Sequence, residues 1–224
     1  MGAAAYALIR PNCRPRHQAG SVIFVTTEPG AAATRTLALA DPGPLGLAAF
    51  ALTTFVLSVF NAGLVDAEAK PVVFGLALFY GGLVQVFAGL AEFLKKNTFG
   101  AVAFCSYGAF WMSFWYLSVN PQFFPAGSEH KLTGVGIFLL GWTIFTAYMW
   151  AVTWRINGIL LATFSVLLVT FIFLTAGDLT GMATLTTVGG FLGLVTAFLA
   201  WYGSLAGVMN NTTGKATLPT WPRS

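Results

Sequence analysis

Apolar stretches long enough to cross a membrane dominate the sequence after residue 40. A helix that spans the hydrocarbon core of a bilayer needs about 20 mostly apolar residues. Six stretches meet this requirement, at roughly residues 44–64, 71–93, 98–119, 132–154, 156–175 and 184–208. Only 8% of the 224 residues are charged, whereas soluble domains average about 25%. The sequence therefore predicts an all-α membrane protein with six transmembrane helices.

The positively charged residues predict the orientation of these helices, because Lys and Arg near helix ends favour the cytoplasmic side. Nine of the 11 lie in the N-terminal segment, the second and fourth loops and the C-terminal segment. The other two, Lys70 and Lys131, lie in the first and third loops. We therefore expect both termini in the cytoplasm. The protein is expected to be an integral, multi-pass protein of the plasma membrane, with an organelle membrane as the alternative.

Composition divides the chain into three parts. Residues 1–40 carry four arginines, and we expect them to form a disordered cytosolic tail, with an organelle transit peptide as the alternative. Residues 41–209 are predicted to form the six-helix transmembrane domain. Residues 210–224 are predicted to form a second cytosolic tail.

Several function classes are disfavoured by what the sequence contains. The net charge of +4 comes from short clusters of Lys and Arg between apolar runs, without the basic face that nucleic acid requires. The two cysteines and two histidines are scattered, so we expect no metal site and no cofactor. We find no hydrolase, metalloprotease or phosphate-loop motif, and we expect no enzymatic activity.

Polar side chains in the first apolar stretch are candidates for a lining face, because they are costly in hydrocarbon and usually face the bundle interior or a wet cavity. Phe50, Thr54, Ser58 and Asn61 fall at spacings of four, four and three residues, which favours one face of a helix. The alternative for a Thr or Ser is a hydrogen bond to its own backbone. We interpret the stripe as pore-lining.

The second and third stretches add further candidates. Gln85 lies at mid-depth and needs hydrogen-bond partners, either on a neighbouring helix or on a solute. Glu92 lies near the cytoplasmic end beside two lysines, where it would form an interfacial ion pair or bind a proton. Tyr107 stands between Ser106 and Gly108 and is placed to narrow a passage. Ser106 is a further pore-lining candidate.

Four motifs occur in the same order and with similar separations in a known family. They are "DPGPLGL" at 41–47, "FYGGLVQVFAGLAE" at 79–92, "NTFG" at 97–100 and "SYGAFW" at 106–111. Over roughly residues 41–215 the chain resembles the acetate uptake transporter family, also called the GPR1/FUN34/yaaH family. The signature residues within the motifs are Pro42, Pro44, Leu45, Gly46, Tyr80, Gly81, Gly82 and Asn97.

The resemblance implies a six-helix protomer like that of the acid-activated urea channel, assembled as a homo-hexamer with one pore per protomer. It also implies transport of acetate and similar short monocarboxylates, and of succinate, by proton symport or channel-like flow. Phe50, Tyr107 and, within residues 164–167, Val166 would form the pore constriction. Ammonium or ammonia transport, proposed for yeast members of the family, and a non-transporting membrane scaffold or sensor are the alternatives.

One residue departs from the family pattern. The family heptad begins with Asn-Pro, whereas this chain has Asp41-Pro42. Asp is a good N-cap, so we expect the helix start to be retained. A negative charge at the pore mouth would repel a carboxylate unless it is protonated or paired. Asp41 and Glu92 are therefore our candidates for proton binding or gating.

Overall fold

The N-terminal part of the chain forms a small unit of its own. The computed structural model describes residues 21–24, 35–123 and 129–223, and the chain divides into units of residues 1–39 and 40–224. In the first unit, β1 (Ser21–Phe24) pairs with the antiparallel β2 (Arg35–Ala38). β-Branched and aromatic residues favour such strands. The structure thus pairs eight residues of the segment that we expect to be a disordered tail, and 1–20 and 25–34 lie outside the described residues.

The second unit is helical. Its helices are α1 (Gly43–Asn61), α2 (Val72–Leu78), α3 (Gln85–Leu94), α4 (Thr98–Val119), α5 (Glu129–Thr153), α6 (Gly158–Thr180) and α7 (Ala183–Thr213). A π-helical turn, Phe79–Val84, joins α2 to α3, and 3-10 turns occupy Ala67–Ala69 and Pro121–Phe123. The predicted stretches differ from these helices by at most five residues at either end.

Five helical segments among the described residues are long and apolar enough to cross a membrane. They are Gly43–Asn61, Ala67–Leu94, Thr133–Thr153, Gly158–Thr180 and Ala183–Thr213. α4 has 22 residues, a length of about 33 Å at 1.5 Å per residue, but its serine, tyrosine and tryptophan residues lower its hydropathy. The structure thus supports five spans by composition, and α4 is the further helix that the predicted six would require.

Asparagine side chains start two of these helices. Asn97 accepts a hydrogen bond from the amide of Gly100 at 3.2 Å, and Asn157 accepts one from the amide of Leu160 at 2.8 Å. These bonds satisfy amides that the first turn leaves without an intrahelical partner. Asn97, a signature residue of the "NTFG" motif, thus fixes the start of α4.

The bundle is held by packing of α1 on α7, α7 on α6, α6 on α5 and α3 on α4. Ser58 of α1 lies directly against Gly193 of α7, which has no side chain to keep the helices apart. Buried aromatic and aliphatic side chains from α1, α2, α4, α5, α6 and α7 form the core of the bundle.

The C-terminal segment differs from the predicted tail. α7 continues past residue 209 to Thr213, and the left-handed Gly214, with φ of 67°, ends it. Asn210 then forms two hydrogen bonds with the backbone of Leu218, so residues after 214 fold back along α7. Composition could not predict this contact, because it depends on backbone groups rather than on apolar side chains.

Candidate functional site

Two of the cavities among the described residues lie at opposite ends of the same three helices. Cavity A has a volume of about 360 Å³ and is lined by Leu57, Asn61, Lys70, Phe74, Phe110, Phe114, Leu117, Ser118, Pro121, Val135, Phe138, Leu139, Leu174, Asp178 and Thr186. Cavity B has a volume of about 240 Å³ and is lined by Asp41, Gly43, Leu47, Phe50, Gln85, Glu92, Asn97, Phe99, Gly100, Ala103, Phe104, Tyr107, Ile156, Asn157, Leu160, Thr163, Phe164 and Leu167. Because α1, α4 and α6 each line cavity B with their N-terminal halves and cavity A with their C-terminal halves, the two cavities lie in line along the bundle.

Aromatic side chains fill the space between the cavities. The ring centroid of Tyr107 lies 5.7 Å from that of Phe50 and 6.1 Å from that of Phe164. On the side of cavity A, Phe110 meets the edge of Phe171 at 5.6 Å. None of these five side chains is more than 6% exposed. These five side chains therefore separate the two cavities. We call this apolar region the neck.

The third predicted constriction residue is misplaced by one position. Val166 is half-buried and lines neither cavity. Leu167 is 4% exposed and lines cavity B together with Phe50 and Tyr107. Neighbouring residues of a helix point about 100° apart, so only one of the two can face the neck. Leu167, not Val166, stands beside the predicted aromatic pair.

The ring of Tyr107 is fixed by contacts with α5. Its hydroxyl lies 2.9 Å from the hydroxyl of Thr146, and its ring lies against Phe145 and Trp142 with centroid distances of 5.2 and 6.2 Å. The hydroxyl of Thr146 donates to the carbonyl of Trp142 at 2.7 Å. The tyrosine hydroxyl is therefore the donor to Thr146.

Gln85 lies in the wall of cavity B and is 1% exposed. Its Oε1 has no hydrogen-bond partner among the described residues, so a bond from a neighbouring helix does not satisfy this oxygen. An unsatisfied buried polar group costs about 1–3 kcal/mol. Gln85 directly follows the π-helical turn, a feature that is frequent at functional sites. An O–H or N–H group of a bound solute would satisfy the oxygen.

Glu92 is buried at the outer part of cavity B rather than paired with a lysine. It is 2% exposed, and its Oε2 accepts a hydrogen bond from Nδ2 of Asn97 at 2.9 Å. The same asparagine caps α4 with its other side-chain atom. Lys95 forms its ion pair with Asp41, at 3.4 Å. Among the described residues, Glu92 therefore forms no ion pair with Lys95 or Lys96, and its role in proton binding stays a prediction.

Asp41 joins three helix ends at the rim of cavity B. Its Oδ1 accepts from the amide of Gly43 at 3.2 Å and lies 3.4 Å from Nζ of Lys95, and its Oδ2 accepts from Nδ2 of Asn211 at 3.2 Å. Pro42 has helical φ and ψ angles of −81° and −14°, and proline is common at the first position of a helix. Asp41 directly precedes it and accepts from a first-turn amide, as predicted for a capping residue.

The predicted stripe on α1 is only partly aligned. Asn61 follows Phe50 by eleven positions, which is a net rotation of about 20° around the helix, whereas Ser58, eight positions on, is rotated by about 80°. Accordingly Phe50 lines cavity B and Asn61 lines cavity A, while Ser58 faces Gly193 of α7. Thr54 lines neither cavity, and its buried hydroxyl has no partner among the described residues.

Ser106 is likewise on the wrong face of its helix. It is half-buried and lines neither cavity, although the adjacent Tyr107 lines cavity B. The residues of α4 that line the cavities cover an arc that extends about 80° from Tyr107 on one side, at Phe99, and about 60° on the other, at Phe104. Ser106 stands about 100° from Tyr107 and therefore falls outside this face.

The signature residues of the first motif pack α1 against its neighbours. The carbonyl of Pro44 accepts a hydrogen bond from the hydroxyl of Ser204 at 2.7 Å. A Cβ on Gly46 would lie 2.7 Å from the ring of Phe104, so that position has no space for a side chain. Leu45 is 46% exposed on the outer surface. These residues fix the position of the helix that carries Phe50.

The glycines of the second motif permit close helix contacts. A Cβ on Gly81 would lie 2.6 Å from Oγ1 of Thr53, and one on Gly82 would lie 2.7 Å from the side chain of Met112. Tyr80 beside them is half-buried. The three residues lie in the π-helical turn, so the motif fixes the geometry of the segment that presents Gln85.

Cavity A was not anticipated from the sequence. It places Lys70 and Asp178 at its wall, and Nζ of Lys70 donates to Oδ1 of Asn61 at 3.4 Å. The sequence did contain one signal for cavity A, because both charged residues lie near helix ends on the same side of the predicted bundle. No group of three His, Cys, Asp or Glu side chains among the described residues could hold a metal ion.

Comparison with known proteins identifies the family of this chain. The family model described as the GPR1/FUN34/yaaH family matches residues 24–223. The chain belongs to the GPR1/FUN34/yaaH family. Members of this family are transporters and channels, and the protein is an integral membrane protein.

Individual relatives and a solved structure agree with this family. "Ammonia transport outward protein 2" of Saccharomyces cerevisiae is 42% identical over 188 residues, which are 82% of this chain and 66% of that protein. "Succinate-acetate/proton symporter SatP" of Escherichia coli is 34% identical over 181 residues, which are 81% of this chain and 95% of that protein. The structure of "the bacterial acetate channel SatP" matches 81% of this chain and 99% of its own, with 34% identity and a TM-score of 0.75. The chain thus spans about two thirds of the yeast relative and nearly all of the bacterial one.

Proposed function

We propose that the chain transports acetate and similar short monocarboxylates across a membrane, with succinate as a larger candidate. The observation that carries this proposal is the alignment of cavities A and B at the two ends of α1, α4 and α6, on either side of the neck. The names of the bacterial relatives, which are an acetate channel and a succinate-acetate/proton symporter, support the substrate class. A solute enters one cavity, loses water at the neck and leaves through the other cavity.

The apolar neck favours passage of the solute together with a proton. Moving an ionised carboxylate into an apolar environment is costly, and a protonated acid avoids most of that cost. The acid O–H can also donate to the unsatisfied Oε1 of Gln85 in cavity B. The buried carboxyl of Glu92 lies in the same cavity and is the candidate to accept or release the proton. Acetate and protons are thus the proposed solutes.

Phe50, Tyr107 and Leu167 are the proposed constriction residues. All three line cavity B next to the neck and are at most 6% exposed. The space between them limits the cross-section of the solute. The constriction selects by size and by the ability to shed water, because a side chain that forms no hydrogen bond cannot replace lost hydration.

The proposed architecture has six spans, with α4 as the sixth, and both termini in the cytoplasm. Nine of 11 basic residues on one side and an even number of spans support this orientation. Residues 41–209 would form the transmembrane domain. Outward-facing apolar side chains such as Phe87, Ile144 and Phe198, each about 60% exposed, require lipid or further subunits. We infer a homo-hexamer with one passage per protomer in the plasma membrane.

Ammonium or ammonia is the second candidate solute. The observation that favours it is the name of the yeast relative, an ammonia transport outward protein. The N–H groups of ammonia could also satisfy Oε1 of Gln85. The two candidates differ in the direction in which an imposed pH gradient drives them, so they can be separated by measurement.

Uptake of labelled acetate and labelled methylammonium into the same proteoliposomes tests the proposal. Acetic acid crosses lipid unaided, so the relevant quantity is the saturable uptake that exceeds that of protein-free vesicles. We expect such uptake for acetate, driven by a more acidic exterior and inhibited by unlabelled short acids. Saturable methylammonium uptake without saturable acetate uptake would support the second candidate instead.

A further inference from the structure

The last residues of the chain form a strap along the bundle. We use the name C-terminal strap for residues 218–223. Nδ2 of Asn210 donates to the carbonyl of Leu218 at 2.8 Å, and the amide of Leu218 donates to Oδ1 of Asn210 at 2.9 Å. The hydroxyl of Tyr202 donates to the carbonyl of Pro219 at 2.8 Å. The first half of the strap is therefore attached to α7.

The second half of the strap is attached to the loop between α5 and α6. The amide of Gly158 donates to the carbonyl of Trp221 at 2.7 Å, and the amide of Arg223 donates to the carbonyl of Ile156 at 3.1 Å. The guanidinium of Arg223 lies 5.5 Å from the ring centroid of Trp154, within the range of a cation–π contact. Both sides of the loop are thus bound by the strap.

This loop is the rim of cavity B. Ile156 and Asn157 line the cavity, and Asn157 caps α6 through the amide of Leu160. α6 carries Phe164 and Leu167 further along the cavity wall. A displacement of the loop would therefore change both the opening of cavity B and the start of the helix that lines it.

The strap is built to detach more easily than a helix of the bundle. Trp221 is 55% exposed, and its φ of 52° lies in the left-handed region, which is unfavourable for a residue with a side chain. Segments with few buried apolar contacts and exposed backbone hydrogen bonds open without global unfolding. We therefore expect the strap to open more readily than a helix of the bundle, with the bundle still folded.

We propose that the C-terminal strap sets the position of the rim of cavity B and thereby controls entry of solute from that side. Trp221 and Arg223 act as positioning residues. They form hydrogen bonds with Gly158 and Ile156, and they influence the cavity through this loop. The proposal rests on the proposed transport function for its consequence in flux, but the position of the rim can be measured without transport.

Thiol accessibility in the two cavities provides the test. In a chain whose Cys13 and Cys105 are replaced by serine, Thr163→Cys reports on cavity B and Ser118→Cys reports on cavity A, because each residue lines its cavity. The reaction rate of each thiol with a hydrophilic maleimide is compared between the full chain and a chain that ends at Thr217. We expect the rate at Thr163→Cys to rise about fivefold, the equivalent of about 1 kcal/mol, and the rate at Ser118→Cys to stay unchanged.

A pair of point variants covers the case in which the shortened chain does not fold. Arg223→Pro and Arg223→Ala both lose the contact with Trp154, but only Arg223→Pro also loses the amide that donates to Ile156. We expect the thiol in cavity B to react faster in Arg223→Pro than in Arg223→Ala. Equal rates in the two variants and the wild type, or equal increases in both cavities, would overturn the proposal.

Acetate uptake then links the rim to transport. At subsaturating acetate, we expect the shortened chain to show about twofold to fivefold faster saturable uptake, because the strap no longer holds the rim in place; this range corresponds to about 0.4–1 kcal/mol. Slower or unchanged uptake together with a faster thiol reaction would overturn the proposal that the strap controls entry of the solute. A full chain without saturable uptake would instead contradict the proposed function, and the thiol rates would still test the strap.

Discussion

The hydroxyl of Tyr107 lies 2.9 Å from the hydroxyl of Thr146 on α5. Since Thr146 donates to the carbonyl of Trp142, the phenol donates to Thr146 and its oxygen is turned towards α5. The ring is left between Phe50 and Phe164 as the wall of the neck. Tyr107 would thus act on a solute through the size of its ring rather than through its hydroxyl.

Replacing Tyr107 by alanine should widen the neck. We expect Tyr107→Ala to raise the ratio of succinate to acetate uptake by about tenfold, the scale of discrimination that pocket size provides. Competition of labelled acetate with lactate and succinate measures the ratio. Tyr107→Phe keeps the ring and should keep wild-type selectivity, and an unchanged ratio in Tyr107→Ala would show that the ring does not form the constriction.

Removing the partner of the phenol should destabilise the bundle. Thr146→Val keeps the shape of the side chain but leaves the buried O–H of Tyr107 without its acceptor, which costs about 1–3 kcal/mol. The double variant Thr146→Val with Tyr107→Phe should lose less than the sum of the single variants. Unfolding of all four proteins in the same detergent measures this coupling, and strict additivity would contradict the interaction.

Gln85 should increase the affinity for the solute and decrease the stability of the folded protein. Gln85→Leu removes the unsatisfied oxygen, so we expect a higher unfolding midpoint together with a KM for acetate raised about fivefold to tenfold, as expected for the loss of one hydrogen bond. Ser106→Ala is the matched control, because Ser106 lines neither cavity, and its KM should not change. A normal KM in Gln85→Leu would exclude direct contact with the solute.

The charge of Asp41 should slow entry of an anion at low salt. Asp41→Asn removes a negative charge from the rim and releases Lys95 from its ion pair, so we expect about twofold faster acetate uptake in 0.01 M salt, where charges act over about 30 Å. In 1 M salt, where screening reduces this range to about 3 Å, the difference should vanish. Asp41→Glu retains the charge and should behave like the wild type. A salt-independent effect would indicate a change of geometry instead.

Stability should be little affected by the same substitution. The side chains of Lys95 and Asp41 are 19% and 37% exposed, and exposed ion pairs contribute about 0–1 kcal/mol. The unfolding midpoint of Asp41→Asn in detergent should therefore remain close to that of the wild type. A large decrease would show that Asp41 holds the ends of α1, α3 and α7 together.

The ends of the helices could be predicted from the sequence. The face that each helix turns towards the cavities could be predicted only in part. Length and hydropathy define a membrane helix, which is why α1 was predicted to begin at about residue 44 and does so at Gly43. Phe50 and Asn61 were found because α1 carries polar residues that mark a face. α6 also carries polar residues, and Thr163 and Asp178 lie within about 40° of Leu167 around the helix axis. This signal favours Leu167 over Val166 and was not used, because the constriction was placed by its resemblance to the family motif.

The hydrogen bonds of backbone groups also could not be predicted from the sequence. The strap is held chiefly by the carbonyls and amides of Pro219, Trp221 and Arg223, groups that almost every residue carries. Asp41 was recognised as unusual, but its partners Lys95 and Asn211 lie 54 and 170 residues away. Such pairings arise only when helix ends meet in the folded bundle.

Passage of the solute through the neck is tested most directly by saturable uptake of labelled acetate into proteoliposomes that contain only this protein. Leu167→Trp and Val166→Trp are measured beside the wild type. Leu167 lines cavity B at the neck and Val166 does not. We expect wild-type and Val166→Trp vesicles to take up acetate faster than protein-free vesicles, and Leu167→Trp to reduce this excess by at least about tenfold, because an indole has no space in the neck. Wild-type vesicles that match protein-free vesicles, or Leu167→Trp vesicles that match the wild type, would contradict the account.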